Sequence, residues 1–274
     1  MNPQPQDPER VRDEDLLCRT SLEVIGVLRE ASNVTVLVDL VEPDGAPTGR
    51  KAVYKPIRGE RPLVDFPTGT LAAREVSAYL VSELGGWRLV PPTVLRDGPL
   101  GPGSVQLWME VEDSPLPGAG LIDVLRPEEV ASGWKRVVDA QDETGAALVV
   151  VHADDARLRS MAVLDAVLDN ADRKAAHLGI TGERLWGFDH GLCLHTEPKL
   201  RTVLWGWAGE PLRQEDLDSV RAVRDAVTDG SSGLEALLAP GEIAALSTRL
   251  EALRASQQMP LLPPDRYPLP WPLW

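Results

Sequence analysis

Cysteine is almost missing from this sequence. Cys18 and Cys193 are the only two in 274 residues and stand far apart, which argues against a disulfide framework and suits a reducing compartment. No C-x-x-C or H-E-x-x-H motif accompanies them, and His190, Cys193 and His195 do not share one face of an extended stretch, so zinc is poorly served. Long apolar runs are missing too. The longest uncharged one, "GAALVVV" at 145–151, is far short of the roughly 20 residues a membrane helix needs. The opening "MNPQPQDPERVRDED" does not have the basic-then-apolar order of a signal or transit peptide, so a cytoplasmic protein is expected. Basic residues never run to five. With 42 acidic against 28 basic side chains the formal charge is -14, the wrong sign for nucleic acid or for an anionic membrane surface. Any phosphate site must be local, built from a few placed cations.

A hydrophobic fraction of 43% beside 26% charged residues argues against wholesale disorder, and the length allows two lobes. Only the ends look loose, and residues 1–18 are expected to be a disordered tail. From about 20 to 112 the pattern is strand-like: "SLEVIGVLRE", then "NVTVLVDLV" with Val34, Val36, Val38 and Leu40 on one face, then "KAVYKPI". "EPDGAPTG" reads as a hairpin connection. A helix is expected over 71–84, with Thr70 as its N-cap, and "VQLWMEV" at 105–111 as a further strand. Beyond 125 the texture turns helical, at 157–169, 214–228 and 241–254. The closing "LLPPDRYPLPWPLW" suits an extended segment lying over the body. No internal repeat occurs.

The densest collection of chemistry is "VLDNADRKAAHLGITGERLWGFDHG" at 167–191. It reads as a helix end, a loop "NADRKAAH", and a strand-turn-strand that delivers Asp189 next to a glycine turn. The hairpin brings Asp172 and Asp189 together. An Asp, a Lys two residues on, a further ligand candidate at His177, and then Asp-x-Gly is the layout of a kinase catalytic loop and its metal-binding Asp. Phosphoryl transfer needs a carboxylate to orient the attacking hydroxyl, a cation for the transferred group and an oxygen ligand for Mg²⁺. Asp172, Lys174 and Asp189 offer these in order. The same chemistry needs a strand lysine held by a helix glutamate. Lys55 of "AVYKPI" stands among apolar neighbours, where a lone charge is costly, and Glu75 of the following helix is the candidate partner. The turn "REASNVT" would then cover the phosphates through Ser32 and Asn33 rather than glycines.

"VYKP", "GERPLVDFPTGTLAAREVSAYLVSELGG", "VPPTVLRDGPLGPGSVQLW", "NADRK", "GFDHGLC" and "KLRTVLWGW" together resemble a bacterial family of the phosphatidylinositol 3-/4-kinase-like superfamily, over roughly residues 20–210. The resemblance implies an α+β, bilobal protein-kinase-like fold, with a β-rich N-lobe over 19–111 and a mainly helical C-lobe over 112–274. It implies ATP as cofactor, with "QLWMEV" as the hinge, where Trp108 and Glu110 would meet the nucleotide. It also implies Asp172 as the catalytic Asp and Asp189 as a metal ligand. Two departures matter. His177 stands where that superfamily has a metal-binding Asn. Imidazole suits Mn²⁺ better than Mg²⁺, so Mn²⁺ replaces it, Asn170 takes the role, or one metal suffices. Lys174 replaces a His and has the Asp-x-Lys spacing of protein kinases, which points away from lipid. Trp205 and Trp207 read as core, and Lys199 and Arg201 as candidates to face a substrate. The expectation is an ATP-dependent phosphotransferase using Mg²⁺ or Mn²⁺ on a hydroxyl of a protein or small molecule, without nucleic acid or membrane partners. A nucleotide-binding pseudokinase and AMP transfer on the same fold are the alternatives.

Overall fold

The computed structural model describes residues 8–28, 33–114 and 118–274. The chain divides into two compact units. One takes the chain up to Tyr79 together with Val90–Met109; the other takes Leu80–Leu89 and Glu110–Trp274.

The first unit contains helix α1 (Pro8–Arg19) where a loose tail was expected. The reason lies in Leu16 and Leu17, two apolar residues among charges. Leu17 is fully buried and Leu16 packs beside it in a core of Leu22, Val36, Val38, Ala52, Tyr54 and Val105. Arg96 fixes the end of α1 by donating to the carbonyls of Leu17 and Thr20. Strands β1 (Ser21–Val27), β2 (Val36–Val41) and β3 (Pro47–Pro56) follow. After helix α2 (Leu71–Leu84) come β4 (Thr93–Gly98) and β5 (Gly101–Leu107). The antiparallel sheet has the order β1-β2-β3-β5-β4. On β3 the side chains alternate, with Ala52, Tyr54 and Pro56 buried and Val53 and Lys55 on the other face. Lys55 is thus directed away from the sheet's own core.

Two expectations are corrected in this unit. Thr70 is not the cap of α2, because its hydroxyl donates to the Pro67 carbonyl. The Glu60 carboxylate takes the first N–H groups instead, from Leu71 at 3.2 Å and Ala72 at 2.9 Å, and an anion there also favours the helix dipole. The expected strand over 105–111 ends at Leu107, so Trp108 and Glu110 follow the strand rather than lie in it.

The second unit adds a sheet that the helical texture expected after 125 did not include. Strands β6 (Ile122–Leu125), β7 (Trp134–Gln141) and β8 (Ala147–Ala153) form a three-stranded sheet of order β6-β8-β7. Val149, Val150 and Val151 are all buried, so this run carries no alternation to mark it as a strand. Helix α3 (Ala156–Leu168) comes next, capped by Asp155, whose carboxylate accepts from Arg157 and Leu158 N–H. The hairpin of β9 (Leu178–Thr181) and β10 (Arg184–Gly187) follows where it was expected. Helices α4 (Gln214–Asp229) and α5 (Pro240–Ser256) pack on each other and on α3. No helix among the described residues is long and apolar enough to cross a membrane.

His152 on β8 ties this sheet to the turn at Gly206 and Trp207. It is fully buried, and burial pushes its pKa down from the ordinary value to about 4. Its Nδ1–H donates to the Ala153 carbonyl at 2.9 Å, its Nε2 accepts from Gly206 N–H at 3.0 Å, and its ring lies 4.2 Å from that of Trp207. A side chain at Gly206 would collide with the imidazole, whose Nε2 would lie 2.5 Å from its Cβ. Both ring nitrogens are therefore occupied only in the neutral form. The folded state refuses a proton that the unfolded chain accepts below about pH 6.5, so stability is intact above that pH and falls as pH drops toward 4. The total is about 3 kcal/mol from this group. Denaturant midpoints from pH 7 to pH 4 should show this loss, and His152→Gln should flatten it.

Candidate active site

Each unit contributes a constellation that its own packing explains. In the first, Lys55 Nζ lies 2.5 Å from Glu75 Oε1. Glu75 is buried on α2, with 4% of its side chain exposed, while Lys55 retains 24%. A buried carboxylate is tolerable only beside a cation, and a lysine in an apolar strand gains little by reaching water when such a partner is present. α2 is held in register by more than this pair. Its neighbour Arg74 is fully buried, donates to Thr70 Oγ1 at 3.2 Å and lies 5.1 Å over the ring of Phe66.

In the second unit the loop 169–177 is pinned by one buried carboxylate. Asp165, on the last turn of α3, is completely inaccessible and accepts from Asn170 Nδ2 at 3.0 Å, Arg173 Nε at 3.0 Å and Thr202 Oγ1 at 3.2 Å. Arg173 is equally buried. Its remaining donors reach the carbonyls of His177 and Phe188, and its Nη2 lies 2.6 Å from His190 Nε2. One guanidinium thus joins the loop, the end of the hairpin and the turn after it. Backbone bonds complete the frame: Arg173 N–H to Arg201 O, Arg201 N–H to Asn170 O, and Ala171 N–H to Leu192 O. Asp169 turns the chain out of α3 at φ 52 and accepts from the N–H groups of Lys199 and Leu200. This buried network goes beyond the residues expected from the sequence. Its signal was in the sequence, since Asp165 falls on the apolar stripe of its helix and a charge there demands a partner.

That frame presents Asp172. Its N–H donates to Asn170 Oδ1 at 3.0 Å, and its carboxylate lies 3.1 Å from Lys174 Nζ. Burial pushes the Asp172 carboxyl above the usual range, against the pull of Lys174, and the charge of Asp189 adds to the rise. Asp189 follows the hairpin in a left-handed conformation, φ 54, which Asp tolerates better than most residues. Its Oδ2 lies 3.5 Å from His177 Nε2. Two ligands side by side on one small divalent cation stand about 3 Å apart, so this separation is compatible with a shared ion. No cluster of three or more His, Cys, Asp and Glu that could hold a metal occurs among the described residues.

The other expected residues fare differently. Ser32 lies outside the described residues. Asn33 accepts the Arg61 N–H through its side-chain oxygen at 2.8 Å. Trp108 N–H donates to Lys51 O, and Glu110 O accepts from Thr181 Oγ1. Asn170, the alternative metal ligand, is fully buried with both ends of its amide engaged, so it positions the loop rather than facing a cation. Of the aromatic pair read as core, Trp207 is fully buried and Trp205 nearly so.

No family model matches the sequence. Among solved structures, the Golgi casein kinase aligns with a TM-score of 0.54 at 12% identity, covering 93% of this chain and 75% of that one. The hydra Fam20 structure with sugar aligns with a TM-score of 0.52 at 13% identity, covering 93% of this chain and 89% of that one. The Golgi casein kinase with Mn/ADP bound aligns with a TM-score of 0.53 at 12% identity, covering 92% of this chain and 76% of that one. At such identities these likenesses show the fold, and the fold is the expected α+β protein-kinase-like one, with a β-rich N-terminal part and a helical C-terminal part. In sequence, Protein Rv2133c of Mycobacterium tuberculosis is 47% identical over 274 residues, covering 96% of both chains. The chain belongs to the family of that mycobacterial protein.

Proposed function

We propose that the protein is an ATP-dependent phosphotransferase that moves the γ-phosphoryl group to a hydroxyl of a protein or small-molecule acceptor. The observation that carries this reading is the Lys55–Glu75 pair at 2.5 Å. A strand lysine fixed by a buried helix glutamate has its ammonium oriented for the α and β phosphates, the role such a pair has in kinases. Asp172 accepts a hydrogen bond from the acceptor hydroxyl and takes its proton as the bond to phosphorus forms. Its raised pKa, a consequence of burial, makes it a better base than a free carboxylate. Lys174, beside it, offsets the negative charge of the group in transfer. Asp189 and His177 would hold a divalent cation, Mg²⁺ or Mn²⁺, whose charge would offset that of the phosphates. The related fold crystallised with Mn/ADP supports nucleotide and metal use of this kind.

The finer placement, within the phosphatidylinositol 3-/4-kinase-like superfamily, rests on the resemblance of the Lys, Asp-Arg and Asp-x-Gly segments. Within it, the formal charge of -14 favours an acceptor other than a lipid surface. The test is the fate of label from ATP carrying either a γ or an α radiolabel, supplied with Mg²⁺ or Mn²⁺. Release or transfer of the γ label alone is the expected result; transfer of the α label would mean AMP transfer, and ATP bound without turnover would mean a pseudokinase.

A further inference from the structure

The segment 268–274 touches the loop that carries Asp172, and it does so through its backbone. The Leu273 carbonyl accepts from the N–H of Ala175 at 2.9 Å. Ala175 is fully buried and lies between Lys174 and His177, so this donor needs a partner supplied by the protein. Five residues before Leu273, the Pro268 carbonyl accepts from Thr202 N–H at 3.2 Å and from Trp205 Nε1 at 2.8 Å. Thr202 is the residue whose hydroxyl reaches Asp165 and whose backbone is bridged to Arg173. One short segment therefore ties both the loop and the stretch paired with it. Leu269 anchors it, with 2% of its surface exposed, while Trp271 is 80% exposed and makes no comparable anchor.

We propose that residues 268–274 act as a positioning strap, holding the backbone of the loop 172–177 in the geometry the phosphoryl transfer needs. The inference rests on the phosphotransferase reading for its catalytic consequence but not for the restraint itself. None of the strap's side chains reaches the reacting groups in this account. Its effect passes through the N–H of Ala175 and the backbone at Thr202.

Leu269→Ala in the full chain loosens the anchor, and Trp271→Ala serves as the control. Hydrogen exchange is followed at the Ala175 amide and at the amides of α4 and α5, alongside kcat and KM for ATP turnover. The expected result is exchange at Ala175 faster by about tenfold or more, with α4 and α5 unchanged. With it, kcat should fall about tenfold while KM for ATP holds, since the strap acts on loop geometry and not on nucleotide affinity. Trp271→Ala should match wild type in both. Unchanged exchange at Ala175, or faster exchange with kcat intact, overturns the proposal, and so does a parallel loss of kcat and ATP affinity. If wild type turns over no ATP, the functional reading fails, and exchange at Ala175 alone then decides whether the strap restrains the loop.

Discussion

Asp172→Asn is expected to bind ATP as wild type does and to lose at least about 100-fold in turnover. The substitution keeps the size of the side chain and leaves the backbone N–H to Asn170 Oδ1 in place, so the loop should keep its shape. What disappears is the group proposed to take the proton. Carboxylates in this role contribute on the order of 10² to 10⁴ in rate. Lys174 lies 3.1 Å from the carboxylate it would lose, and its ammonium would then face a neutral amide, which adds to the defect in the transferred state. Isothermal titration with ATP and Mn²⁺, set beside a turnover assay, separates binding from chemistry. Wild-type turnover in this variant would remove Asp172 from the mechanism.

Asp165→Ala should instead cost stability, by about 3–5 kcal/mol. It leaves Arg173 with its guanidinium fully buried and its main counter-charge gone, and the penalty for an uncompensated buried charge dominates any other loss. Asn170 and Thr202 lose an acceptor at the same moment. Urea unfolding followed by far-UV circular dichroism should show the shift. A paired replacement, Asp165→Leu with Arg173→Met, should recover much of that stability, because both charges leave together. It should not recover turnover, since the bonds from Arg173 to the carbonyls of His177 and Phe188 go with it. If Asp165→Ala were as stable as wild type, the buried pair would not be the anchor of the loop.

These two substitutions also mark the limit of what could be read from sequence. Asp172, Lys174 and Asp189 were legible because the hairpin between them is local: a glycine turn between two short apolar strands folds back whatever flanks it. The Lys55–Glu75 pair was legible for a different reason, that a charge on an apolar strand face requires a partner and the next helix offered one. Asp165 stands on an apolar stripe, where a charge raises the same question, but nothing local supplies the answer. Its partners Arg173 and Thr202 are eight and 37 positions away, and no periodicity links them. The sheet of β6 to β8 escaped notice because three consecutive valines are buried together, which erases the alternation that identifies a strand. Glu60 capping α2 and Leu17 drawing α1 into the core are contacts across the fold, and local propensity contains no trace of them. The phosphate cover at Ser32 and Asn33 rests on donor chemistry alone: Ser32 lies outside the described residues, and the bond seen at the Asn33 side chain engages its oxygen.

The proposed phosphotransferase reading requires Lys55, Asp172 and Asp189 alike. It is tested most directly by following γ-labelled ATP with wild type, Lys55→Met and Asp189→Asn under identical Mg²⁺ or Mn²⁺ concentrations, with α-labelled ATP in parallel. Wild type should release or transfer the γ label and leave the α label on the nucleotide, and either substitution should abolish this. Unimpaired γ-label turnover in both variants would contradict it.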